Sequence, residues 1–212
     1  MRLPPAILAN AEEVLREILR FSAPADTTLS RYFKDHPRLG GRERGAIAEG
    51  VYNVLRNRAF FTDQAEAGAG GAMRRLTILG MADAVGADAL GGLTPEEFEW
   101  VQRVVQIDRK LMHKSMRSNM PKWLFEKLVA QFGEAEALDL ADALNVPAPL
   151  DLRVNTMKAN REDVIAELAQ APIAADATPY APLGLRVHKK PQLQNLPLFK
   201  SGAIEVQDEG SQ

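Results

Sequence analysis

Apolar residues recur at every third or fourth position as far as Leu144, and at every second position over Leu150–Val154 and again at Leu185 and Val187. The first pattern predicts amphipathic helices and the second predicts half-buried strands. Pro4 and Pro5 open a helix in which Ile7, Ala11, Val14, Leu15 and Ile18 share a face, and Ser22-Ala-Pro-Ala ends it. A second short helix carries Leu29, Tyr32 and Phe33, and a longer one runs from about Arg42 to Arg58. Met73, Leu76, Leu79 and Val85 mark another. Thr94-Pro-Glu-Glu97 offers a hydroxyl cap, a first-turn proline and a carboxylate three residues on, which is the capping-box start of a helix through Leu111. His113 to Met120 is polar and reads as a connection. Pro121 then opens a helix with Trp123, Phe125 and Phe132, whose apolar residues cover more than one face and suit packing between two bodies. One more helix stops before Pro147.

From Pro149 the alternation Leu150, Leu152, Val154 against Asp151, Arg153, Asn155 predicts a strand. Asn160 caps a helix with Val164, Ile165 and Leu168. Strands over 173–178 and 185–190, a short helix or turn over Leu193–Phe199, and a last strand at Ile204 and Val206 follow. The fold class is therefore α + α/β. An all-helical domain occupies 1–112, a helical connector 113–147, and a small α/β subdomain of ferredoxin or RNA-recognition type 148–212.

Composition narrows the chemistry. The 212 residues carry a net charge of −2 and no cysteine. Disulfides, a thiolate nucleophile and zinc thiolate sites are excluded. Met-Arg-Leu-Pro-Pro lacks the apolar stretch of a signal peptide, and no run approaches the roughly 20 apolar residues of a membrane span. These features fit a cytoplasmic chain. His36, His113 and His188 are far apart, so no metal site is expected. Gly68-Ala-Gly-Gly71 fails the dinucleotide fingerprint, because Met73 stands where the third glycine belongs. No catalytic residue is assigned.

Binding leaves a stronger trace. On the strand over 185–190, Arg186, His188 and Lys190 share one parity, spaced about 7 Å apart, close to phosphate spacing. Arg153 and Asn155 line the polar face of an earlier strand, with Lys158 and Arg161 just beyond. Together with Lys189 these form a candidate RNA-binding group. For any one of them a solvated outer sheet face is the better account; RNA binding is favoured only for the group, together with the resemblance that follows.

The segment Ala148-Pro-Leu-Asp-Leu-Arg-Val-Asn155, followed by Lys158 and Arg161, resembles the P-x-x-L-R-V-N entry of the RsmB/Nop/Sun family of RNA cytosine-5-methyltransferases. Phe199-Lys-Ser-Gly-Ala-Ile-Glu-Val-Gln-Asp-Glu-Gly-Ser-Gln212 is similar to that family's G-x-x-x-V-Q-D-x-x-S/A-Q motif, and Pro121-Lys-Trp-Leu to its P-x-W-L helix opening. Arg42-Glu-Arg44 and Gly50-Val-Tyr-Asn-Val-Leu-Arg56 resemble part of the NusB-like helical domain of RsmB-type members. Gly91-Gly-Leu-Thr-Pro departs from the N-x-x-L-R helix ends of that domain.

The resemblance implies an N-terminal portion of a longer enzyme, one that binds and positions RNA, ribosomal RNA foremost. In the implied reaction a cysteine thiolate attacks C6 of a cytosine, and C5 then takes a methyl group from S-adenosylmethionine. The parent enzyme would use that cofactor; this chain alone would not bind it and would be inactive. Gln207, Asp208 and Ser211 match the motif beside the cofactor pocket. Two alternatives stand beside this reading: a stand-alone NusB-like RNA- and protein-binding module, and a scaffold whose helical domain binds only protein.

Overall fold

A computed structural model describes residues 2–188, 191 and 193–212. The chain divides into two compact units, residues 1–146 and 147–212.

The first unit is helical: α1 (Pro5–Ile18), α2 (Ala25–Asp35), α3 (Gly41–Arg56), α4 (Arg58–Ala65), α5 (Ala72–Val85), α6 (Pro95–Val105), α7 (Lys114–Ser118), α8 (Lys122–Phe132) and α9 (Glu134–Leu144). α1 buries the stripe that its spacing predicts, Ile7, Ala11, Val14, Leu15 and Ile18, together with Leu8. These residues pack with Ile47, Val51 and Val54 of α3, Ile78, Leu79 and Met81 of α5, and Trp100 and Val101 of α6. Glycine makes the α3–α5 contact possible: a Cβ on Gly80 would lie 2.4 Å from the Gly50 carbonyl oxygen. Removing both side chains lets the two backbones touch. α6 starts with the predicted capping box. The Thr94 hydroxyl accepts from Glu97 N–H at 3.2 Å, and the Glu97 carboxylate accepts from Thr94 N–H at 2.9 Å.

Three details differ from the sequence reading. The helix expected over Arg42–Arg58 ends at Arg56, and α4 starts two residues later. Asn57 makes the break, at φ −111° and ψ 27°, with its side-chain amide donating to Asn53 O. α4 buries Phe60 and Phe61. Arg109 then covers these rings, 4.3 Å from the Phe60 centroid, and donates to Asn57 Oδ1 at 2.6 Å. The supposed connection over 113–120 contains α7, capped by His113. It ends in Asn119, which adopts the left-handed conformation at φ 51° that asparagine tolerates. The Asn119 amide accepts from Ala59 N–H and donates to Asn145 Oδ1 and to Arg56 O, tying α7 to the α3–α4 junction and to the end of α9. The third difference lies in α8, where only Phe125 is buried.

The second unit contains β1 (Leu150–Val154), α10 (Arg161–Gln170), β2 (Ala175–Ala177), β3 (Gly184–Val187), α11 (Pro197–Lys200) and β4 (Ile204–Val206). The sheet order is β2-β3-β1-β4, with every neighbouring pair antiparallel. This is the split β-α-β arrangement of ferredoxin-like domains. Leu152, Val154, Leu185, Val187 and Ile204 cluster with Val164 and Leu168 of α10 and Leu198 of α11. β2 and β3 are shorter than the strands expected over 173–178 and 185–190, and Lys189 and Lys190 lie outside the described residues.

Candidate functional site

The two motifs singled out in the sequence meet as neighbouring strands. Leu152 pairs with Val206, Arg153 with Glu205 and Val154 with Ile204. Beyond the ladder, Gln207 N–H donates to Asp151 O at 3.2 Å, and the Gln212 amide donates to Leu152 O at 3.5 Å. At the other end of β1, Asn155 N–H donates to Ala203 O, its side-chain amide donates to Gly202 O, and its Oδ1 accepts from Met157 N–H. Asn155 therefore spends its hydrogen bonds holding the turn that leads into β4.

Alternation along β1 sends Leu152 and Val154 into the core and Asp151 to the opposite face. Asp151 is nevertheless only 3% exposed. A buried carboxylate is costly unless paired and hydrogen-bonded. Arg186, opposite it on β3, supplies two parallel bonds of 2.8 Å, and Glu209 N–H adds a third at 3.4 Å. The Glu209 carboxylate accepts from Tyr180 N–H at 2.6 Å and Ala181 N–H at 3.1 Å, and lies 3.6 Å from Arg186. Residues far apart in the chain thus form one clamp, Asp151–Arg186–Glu209, that fastens the segment after β4 across the sheet.

The Arg186 hydrogen bonds hold the Asp151 carboxyl below the usual carboxylate range, against the upward push of burial. Burial also pushes Glu209 up, but the two backbone N–H groups, the Thr178 hydroxyl and Arg186 outweigh it, and its pKa is lowered.

Within that segment, Gln207 donates to Ser211 O at 3.1 Å, and Ser211 N–H donates to Asp208 O at 2.9 Å. Gln207 Oε1 is buried and lacks a partner among the described residues. The Asp208 side chain is exposed.

The candidate cations do not form an unopposed basic patch. Arg186 is committed to the clamp. Arg153 lies 3.6 Å from Glu205, Arg161 lies 3.6 Å from Glu162, and Lys158 donates to Ser201 O at 2.5 Å. His188, of the same parity as Arg186, is 2.6 Å from Asp176. Arg153 lies on β1 just before Asn155, and Lys158 and Arg161 follow within six residues of it in the chain. Sequence reasoning missed Asp151 and Glu209. The one available signal was an acidic residue at a polar strand position inside a motif. Among the described residues, no group of His, Asp or Glu side chains could hold a metal ion.

The split β-α-β unit whose sheet zips these two motifs together has the ferredoxin-like architecture. Residues 120–194 match the family model for the RsmF/B-like methyltransferase ferredoxin-like domain. That match takes in a little over a third of the chain, and the relatives that share its sequence carry methyltransferase names of the same kind. The chain is 26% identical over 233 aligned positions to the probable ribosomal RNA small subunit methyltransferase B of Synechocystis, covering 94% of this chain and 52% of that protein. It is 36% identical over 98 residues to ribosomal RNA small subunit methyltransferase B of Pseudomonas putida, covering 46% of this chain and 22% of that protein. The chain thus spans about half the length of the first of these relatives. The crystal structure of PH0851 superposes on 99% of this chain and 54% of its own, with a TM-score of 0.64 and 17% identity, a likeness of fold.

Proposed function

We propose that this chain is the RNA-binding and substrate-positioning part of an S-adenosylmethionine-dependent methyltransferase that acts on cytosine C5 of ribosomal or transfer RNA. The observation that carries the reading is the pairing of the two motifs as neighbouring strands, fastened by the Asp151–Arg186–Glu209 clamp, with Arg153 on β1 and Lys158 and Arg161 just after it in the chain. The names of the relatives supply the ribosomal substrate.

C5 of cytosine is a poor nucleophile until a thiolate adds at C6, and this chain has no cysteine. Its residues therefore hold RNA rather than form the adduct. S-adenosylmethionine would supply the methyl group in the whole protein. Gln207 Oε1, a buried acceptor without a partner among the described residues, fits a hydrogen-bond donor of such a ligand. Gln207, Asp208 and Ser211 otherwise bond within their own segment, so they shape a cofactor site rather than enclose one. The helical unit serves as a NusB-like RNA-binding domain. The setting is the cytoplasm, and no helix among the described residues is long and apolar enough to cross a membrane.

Filter binding of small-subunit ribosomal RNA fragments across a salt series tests the reading. The purified chain binds with an affinity that falls as salt rises, and it transfers no radiolabelled methyl group. Salt-independent binding, or methyl transfer by these residues alone, contradicts it.

A further inference from the structure

α1 ends in an unusual way. Phe21, just past its last turn, has φ 53° and a side chain left 62% exposed. The left-handed region is disfavoured for any residue with a Cβ, and most plainly for a bulky one. Glycine would occupy the position freely. Burial of the ring does not offset the unfavourable backbone, because the ring faces solvent. What the conformation does produce is a stack: the Arg58 guanidinium from the start of α4 lies 5.2 Å from the Phe21 ring centroid. Neither Arg58 nor Arg20, next to Phe21 in the chain, has a carboxylate partner among the described residues, whereas Arg16, Arg31, Arg56, Arg74, Arg109 and Arg117 each do.

Arg58 also lines a groove of about 550 Å³ between α4 and the α7–α8 turn, with Leu55, Met116, Met120, Asp63 and Glu66. The two carboxylates repel phosphate and accept from exocyclic amino groups. The apolar walls suit a flat ring. Aromatic faces and guanidinium planes are the surfaces on which unpaired bases stack.

We infer that Phe21 and Arg58 form a stacking platform for an unpaired, amino-bearing base of RNA, on the helical unit and separate from the sheet. The inference rests on the RNA-binding reading above and deepens it. A duplex cannot use the platform, because its bases are already stacked on one another.

The test uses the full chain and a short unpaired RNA carrying a fluorescent adenine analogue whose emission falls on stacking. Wild type quenches the probe. Phe21→Gly removes the ring while relieving the backbone, so its thermal midpoint rises while its affinity falls roughly tenfold and quenching disappears. Phe21→Leu, with apolar bulk but no π face, loses quenching in the same way, and Phe21→Tyr keeps it. Arg58→Gln weakens binding. Full quenching by Phe21→Gly or Phe21→Leu overturns the platform while leaving RNA binding intact. A wild-type chain that binds no RNA overturns the functional reading, and the platform with it.

Discussion

Arg186 and Asp151 face each other across β3 and β1, joined by two parallel 2.8 Å hydrogen bonds, Nε to Oδ1 and Nη2 to Oδ2. The planar guanidinium matches the carboxylate fork, a fit that lysine cannot reproduce. Through Glu209 the same pair fixes the segment after β4. Arg186→Met leaves the Asp151 charge buried and unpaired, and Arg186→Lys keeps the charge but loses the fork. The expected order of stability is wild type, then Lys, then Met, with faster amide exchange at Glu209 in both variants. Unchanged exchange at Glu209 in Arg186→Met would show that the segment is held by something else.

The clamp carries a pH signature. Asp151 and Glu209 both have lowered pKa values in the folded chain. The unfolded chain takes up protons on these carboxyls first, near pH ~4. Stability from them is therefore complete above that value and is lost as pH falls through the lower folded values. Thermal unfolding of the sheet unit, followed by the Leu185 and Val187 amide signals, should be level near neutrality and fall steeply in acid. Asp151→Asn should be less stable at neutral pH but flatter across the acid range. Parallel curves for the two proteins would remove Asp151 from the linkage.

The helical unit offers a paired glycine test. Gly80→Ala drives a Cβ against the Gly50 carbonyl and Val54, each at 2.4 Å, so α3 and α5 must separate. Overpacking of this kind costs about 1–3 kcal/mol, and more where backbone blocks relaxation. Gly45, exposed in the middle of α3 with nothing within 4 Å of its would-be Cβ, should behave oppositely. Gly45→Ala should stabilise by roughly 0.5–1 kcal/mol. Urea denaturation reads both, and two shifts of the same sign would refute the close-approach account.

Glu97 does two jobs. It completes the Thr94 capping box, and it pairs with Arg74 at 2.5 and 2.8 Å while 3% exposed. The Arg74 hydrogen bond, the largest influence, holds its carboxyl below the ordinary range despite burial. Glu97→Ala should cost about 2 kcal/mol, under the range for fully buried pairs because Arg74 keeps access to water. Glu97→Gln should keep part of the cap and cost less. Equal losses for the two variants would mean that the charge alone matters.

Local signals were readable in the sequence. The capping box at Thr94, the helical stripe of α1 and the alternation along β1 each need only neighbours in the chain, and each formed as expected. Tertiary pairings were not readable. Arg186 looked like an RNA-facing cation because its parity is a local fact, whereas its partner Asp151 is 35 residues away and meets it only in the antiparallel register. The break at Asn57 was hidden in the same way: Asn57 is held by Arg109, and the Phe60 and Phe61 pair it introduces has no helical period of its own. The motif segments were recognised as separate strings; that they form one ladder follows from the sheet order.

RNA contact at the sheet unit can be separated from clamp integrity by charge neutralisation. Arg153 and Arg161 each approach a carboxylate at 3.6 Å, on exposed or half-exposed surface, so losing either charge should leave the fold intact. If each contacts a phosphate, Arg153→Gln and Arg161→Gln should weaken binding, and each should lower the slope of log affinity against log salt by about 0.7–0.9. Arg16→Gln, on the helical unit and paired with Glu12, serves as the control and should leave the slope unchanged. Binding curves that lose affinity without losing slope would point to a change in shape rather than lost phosphate contacts. An undiminished affinity in the double variant would move the RNA surface away from the Asn155 turn.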